Sequence, residues 1–148
     1  MFNQIKFLTL VFLFTSCQSE KLSFIEKYKI EVSNFECWLN LMPGGKPTFH
    51  YTGKIKYDNK KCNSVSLVKV EIFTNENLVN SSTPQIISVN EPNKSEFNYS
   101  IIEFTSPTNV RANDQILKAD FVDVKFYLSI CDNKVELIKK RYNLQRVY

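Results

Sequence analysis

Four cysteines, one histidine and one tryptophan are the side chains of this 148-residue chain with the widest chemical range. Cys17, Cys37, Cys62 and Cys131 can pair, ligate a metal or attack an electrophile. A thiol nucleophile needs a base beside it, and the single histidine, His50, falls on an outward position of a predicted strand. One histidine also rules out paired-histidine metal sites. Copper sites built from clustered histidine and methionine are equally remote, because Met42 is the one methionine besides Met1. The carboxylate pairs Asp120/Asp123 and Glu26/Glu31 lack a catalytic context. With 3 glycines and neither G-x-G-x-x-G nor G-x-x-x-x-G-K-[ST], the chain has no phosphate-cradling loop. The expectation is a protein that is not an enzyme, with no metal and no cofactor.

Recognition is the chemistry left. The most distinctive stretch runs from Cys37 to Pro47. It holds Trp38 and the stiff turn Met42-Pro43-Gly44-Gly45-Lys46-Pro47. Two prolines limit the ordering entropy lost on binding, and Gly44 and Gly45 let backbone approach a partner closely. Arg111, Asn113 and Asp114, in a later loop, add polar and charged groups. Trp38 lies opposite the apolar Phe35/Cys37/Leu39 face, where it either packs under neighbouring chain or contacts a protein or glycan.

The elements that position these residues read as strands. Two alanines against 15 asparagines, with abundant Phe, Tyr, Val and Ile, disfavour helix. Residues 28–33 alternate with Tyr28, Ile30 and Val32 on one face. From Phe35 the phase flips, so Ser33-Asn34 is a predicted bulge or break. Phe49 to Tyr57 alternates most cleanly. Val68, Val70 and Ile72 mark the next strand, 74–84 a loop, and Gln85–Val89 a short strand. Asn90 to Lys94 turns the chain, and Phe97, Tyr99 and Ile101 lead on. Residues 105–118 form a long loop, in which Pro107 forbids a central strand. Phe121–Ile130 alternates strongly, Asp132-Asn133 signals a hairpin, and Val135 to Leu144 returns.

Seven or eight short strands with regular turns predict an antiparallel β-sandwich, immunoglobulin-like or fibronectin-like in the loose sense, with a small barrel as the alternative. If every connection reverses the chain, the turns at 58–61, 90–95 and 132–134 share one end. The loops at 43–47, 74–84 and 105–118 share the other. Cys62 and Cys131 then fall at the same end, which favours a disulfide between them. Free thiols, or a pair involving Cys37, are the alternatives.

The N-terminus is an address. Lys6 precedes the apolar run Phe7 to Phe14, which has the length of a signal-peptide core and is too short to span a bilayer. Phe14-Thr15-Ser16-Cys17 follows. A bulky apolar residue, two small ones and a cysteine resemble the lipobox of bacterial lipoproteins, with Phe14 where the family most often has leucine. The resemblance covers residues 1–17. It implies cleavage before Cys17, lipidation of Cys17 and anchoring to a membrane through the acyl chains. Residues 1–16 are then signal peptide, 17–27 lipidated cysteine and tether, and 28–148 one domain. Gln18-Ser19, without the aspartate associated with inner-membrane retention in some bacteria, points to the outer membrane.

A formal net charge of +4 is mild and implies no nucleic-acid partner. Lys54, Lys56, Lys60, Lys61 and the run Lys139-Lys140-Arg141 read as solvated strand edges, with a basic face toward anionic lipid headgroups near the tether end as the alternative. The functional expectation is a lipid-anchored cell-envelope protein that binds a protein or glycan through loops pointing away from the membrane. A structural subunit of an envelope complex is the alternative, and an enzyme a distant third.

Overall fold

The computed structural model describes residues 25–58, 60, 64–90, 99–108 and 110–148. The leader, Cys17, Cys62 and the expected turn and strand start at 91–98 lie outside them. Eight strands form one curled, open sheet. They are β1 (Glu31–Asn40), β2 (Thr48–Asp58), β3 (Val65–Thr74), β4 (Asn77–Ser82), β5 (Gln85–Asn90), β6 (Tyr99–Thr105), β7 (Phe121–Ile130) and β8 (Asn133–Val147), with the one-turn helix α1 (Asp114–Leu117) before β7. Their order in the sheet is β4-β3-β7-β8-β1-β2-β6-β5. Neighbours are antiparallel except β1 and β8, which run parallel with Cys37 beside Leu144 and Asn40 beside Val147.

Alternation explains why these segments are strands. In β2, Phe49, Tyr51, Gly53, Ile55 and Tyr57 face inward, and the residues between them are only partly covered. In β7 the inward residues are Val122, Val124, Phe126, Leu128 and Ile130. The phase change in β1 is a bulge: its register with β2 shifts between Ser33 and Glu36, and Asn34 has φ +52°. The extra residue lets Tyr28, Ile30 and Val32 and then Phe35, Cys37 and Leu39 all face the interior.

Phe35 is the hub of that interior. Its ring stacks on Tyr51 at 5.9 Å, meets Phe126 edge-on at 5.5 Å and lies 4.5 Å from Tyr142. Phe104 of β6 meets Phe126 of β7 edge-on at 6.0 Å. The Tyr51 and Ser82 hydroxyls, on β2 and β4, share a 2.8 Å hydrogen bond. The sheet therefore curls until β5-β6-β2-β1 and β4-β3-β7-β8 close over one aromatic core. Gly53 is where β2 makes room for it, since a Cβ there would lie 2.6 Å from Phe104 Cζ.

Several expectations are corrected. The predicted loop at 74–84 contains β4, reached by a turn in which Asn75 and Glu76 both have positive φ. In β3 a bulge between Leu67 and Lys69 turns Val68 outward, 49% exposed, and buries Leu67 in its place. The last hairpin turns at Cys131-Asp132, both at positive φ, with Asn133 already paired to Ile130. The 105–118 segment pairs with β2 and carries α1, held by Ile116, which is 2% exposed. β8 also runs on past Leu144 to Val147.

Candidate functional site

The first loop is built by β1 and β2. The Met42 N–H donates to Asn40 Oδ1 at 3.2 Å, and the Gly45 N–H to the Met42 carbonyl at 3.3 Å. Gly44 has φ +82°, a conformation an L side chain rarely adopts. Met42 is 54% exposed, and Pro43, Gly44, Gly45 and Lys46 are exposed as well.

The later loop lies against the first. The Ala112 N–H donates to the Pro47 carbonyl at 3.1 Å, the Phe49 N–H to the Val110 carbonyl at 2.8 Å, and Thr48 forms an isolated antiparallel bridge with Arg111. These backbone bonds join Met42–Pro47 and Val110–Asp114 into one ridge at one end of the sheet. Arg111 and Asp114 are exposed on it. Among the described residues, Lys46, Arg111 and Asp114 form no ion pair with one another or with any other group.

Asn113 also has a structural job. Its Oδ1 caps α1 by accepting from the Ile116 N–H at 2.9 Å, and its Nδ2 donates to the Val79 carbonyl of β4 at 3.3 Å. It fastens loop to strand while remaining exposed on the ridge.

Trp38 sits on the outer face just below the ridge. It stacks on His50 with centroids 5.5 Å apart and rings 18° from parallel. His50 Nε2 is 2.8 Å from Thr48 Oγ1, and Thr48 bridges Arg111. A path Arg111–Thr48–His50–Trp38 thus links ridge and tryptophan. Sequence reasoning passed over His50 as a binding partner. The signal available was that His50 and Trp38 both occupy outward positions on neighbouring strands. The C-terminal residues Val147 and Tyr148, 47% and 78% exposed, lie at the same end, where the Leu41 N–H donates to the Val147 carbonyl at 2.7 Å.

Two shallow depressions flank the other half of the sheet. One, about 220 Å³, is lined by Thr74, Asn75, Gln115, Lys118, Ala119, Asp120 and Phe121. The other, about 210 Å³, is lined by Phe73, Glu76, Asp123, Val124, Lys125 and Ile138. Small-molecule sites are usually about 300–1,000 Å³ and enclosed, so neither is large enough to hold a drug-sized ligand.

Of the cysteines, Cys37 is free and fully buried, and burial pushes its thiol up to about 12. A reactive thiol requires the opposite shift. Cys131 is disulfide-bonded, to a partner outside the described residues, as Cys62 is. The Cys131 N–H donates to the Ser64 carbonyl at 2.9 Å, so the chain two residues after Cys62 runs beside it. Among the described residues, no group of three or more His, Cys, Asp or Glu is placed to hold a metal ion.

Two of the lysines expected at solvated edges, and Arg141, are engaged individually. Lys54 pairs with Glu103 at 2.6 Å, Lys56 lies over the Tyr99 ring at 4.0 Å, and Arg141 lies over Phe121 at 5.6 Å. Compared with known proteins, the chain matches no family model, no curated protein and no solved structure.

Proposed function

We propose that this chain is a lipid-anchored bacterial envelope protein, non-catalytic, that binds a protein or glycan through the Met42–Pro47/Arg111–Asp114 ridge with Trp38 beneath it. The observation that carries the reading is the backbone bridge of Thr48 to Arg111. It fixes two loops distant in sequence into one projection, on which Lys46, Arg111 and Asp114 form no ion pair among the described residues. Rigid loops on a β scaffold bind at a low ordering cost. Anchoring at Cys17 rests on the lipobox-like sequence, and the outer membrane on Gln18-Ser19.

The same proposal reads the curled sheet as an immunoglobulin-like sandwich. The order β1-β2-β6-β5 on one half, β4-β3-β7-β8 on the other and a parallel first-to-last pairing support it. It also pairs Cys62 with Cys131, supported by the Cys131–Ser64 hydrogen bond. The second reading, a structural subunit of an envelope complex, is favoured by one feature of the opposite margin, the uncharged edge strand β5.

The test is a photo-crosslinking side chain placed at Met42 in the full chain in its native envelope, with Lys134 in the last hairpin as the control position. A discrete adduct at Met42 that disappears with Lys46→Ala and Arg111→Ala supports the ridge. Adducts of equal yield at both positions, or none at Met42, overturn it.

A further inference from the structure

Strand β5 ends the sheet, and among the described residues its ladder is with β6 alone. An edge strand offers unpaired N–H and C=O groups to any other strand; charge or proline within it normally blocks that pairing, and a bulge limits its length. None of the six residues Gln85-Ile86-Ile87-Ser88-Val89-Asn90 is charged and none is proline. Ile86, Ile87 and Val89 are 44%, 61% and 54% exposed.

The segment is also nearly palindromic. Ile87 is the extra residue of the bulge in β5, so Ile86 and Val89 share a face, and an antiparallel copy with its twofold axis at Ser88 sets Ile86 against Val89. β-Branched apolar residue then meets β-branched apolar residue, the kind of cross-strand pair that stabilises sheets.

We propose that β5 pairs antiparallel with β5 of a second copy of this chain about a twofold axis, making one sheet across two molecules. A second copy fits this edge because the two sides of such a ladder match, and neither carries a charge that calls for a complement. The contact is self-complementary and closed. The opposite margin does not extend it, because β4 is tied down by Ser82 to Tyr51 and by Val79 to Asn113. The bulge between Ile86 and Ser88 adds local twist, which confines the ladder to this short stretch. Six residues a side bury less than a standard interface, so the dimer is weak and reversible.

Two differently tagged full-length copies, one Ile86→Cys and one Val89→Cys, test the register when co-expressed and mildly oxidised. The matched pair should cross-link on a non-reducing gel. Two Ile86→Cys copies, and a Leu78→Cys pair on β4, should not. Adding Ile87→Lys to both matched copies should lower the cross-linked fraction about tenfold, with Cys37 still resistant to alkylation as proof of folding. Sedimentation of the unaltered chain in detergent should show a concentration-dependent dimer that Ile87→Lys removes. Equal yields from matched and mismatched pairs, indifference to Ile87→Lys, or a monomer at every concentration would overturn the proposal.

Discussion

The two outer faces of the curled sheet use their polar groups differently. On the β3–β7 face, Lys69, Glu71, Tyr127, Lys125 and Phe73 form one network. Lys69 Nζ donates to Glu71 at 2.8 Å and lies 4.1 Å over the Tyr127 ring. The Tyr127 hydroxyl donates to the other Glu71 oxygen at 2.7 Å, and Lys125 sits 5.4 Å over Phe73. On the β1–β2–β6 face the contacts are pairs and one short chain: Lys54 with Glu103, Lys56 with Tyr99, and Trp38 with His50, which in turn meets Thr48. Charges that satisfy one another have little left for a partner. The contrast is one of connectivity: the charges of the β3–β7 face are locked into one network, whereas those of the face of pairs can be altered one contact at a time.

The contrast holds only if both faces clothe one core. Phe35→Ala removes the ring that touches both halves and should cost about 3–5 kcal/mol, seen as a single cooperative unfolding transition. Two separate transitions would show that the halves are independent domains and that their faces cannot be compared as parts of one structure. A milder challenge is Gly53→Ala. The new methyl must displace the buried Phe104 ring, at a cost of about 1–3 kcal/mol. No loss would mean that the core beneath the face of pairs is looser than the distances indicate.

The network itself is tested next. Tyr127→Phe should cost about 1 kcal/mol, measured by denaturant midpoint. Its pH signature has a definite sign. Desolvation, and then the hydrogen bond to Glu71, push Tyr127 up to about 12. Its contribution is therefore complete below the ordinary tyrosine value near 10 and lost as pH rises toward 12. Tyr127→Phe should flatten that alkaline decline, with the remainder coming from Cys37, Tyr51 and Tyr142, whose values are also raised. At Glu71 desolvation would raise the carboxyl, yet bonds from Lys69 and Tyr127 and the nearby lysine charges hold it below its usual value. That contribution is present above the ordinary glutamate value and lost as pH falls through the depressed one. The smallest effect belongs to the ridge: Lys46→Ala with Arg111→Ala should change stability by less than about 0.5 kcal/mol while abolishing the Met42 adduct.

What could be read from sequence followed from local pattern. The bulge in β1 showed as a phase flip at Ser33-Asn34, and β2 and β7 as strict alternation. β4 was hidden because Asn-Leu-Val-Asn-Ser-Ser has no apolar period. It is held as a strand by its ladder with β3 and by Ser82 bonding to Tyr51, contacts no local reading supplies. Val68 misled because the bulge beside it swaps which residue faces inward. At the ridge, counting strand directions sufficed to put Met42–Pro47 and 105–118 at one end. The Thr48–Arg111 bridge and the capping role of Asn113 depend on residues far apart in the chain, and so does the stacking of His50 on Trp38.

The parallel pairing of β1 with β8 has a mechanical meaning. The chain enters that ladder at one end of the molecule and leaves it at the other. Tension between the start of β1 and the end of β8 then acts along the strands, so the bonds from Cys37–Leu144 to Asn40–Val147 are strained together rather than opened one after another. An antiparallel first-to-last pair would put both handles at one end and come apart like a zip. Were the protein held at its N-terminal side and gripped by Val147 and Tyr148 at the far end of β8, it would be a link loaded in shear. Its working strength would then be a rupture rate under force rather than a folding equilibrium.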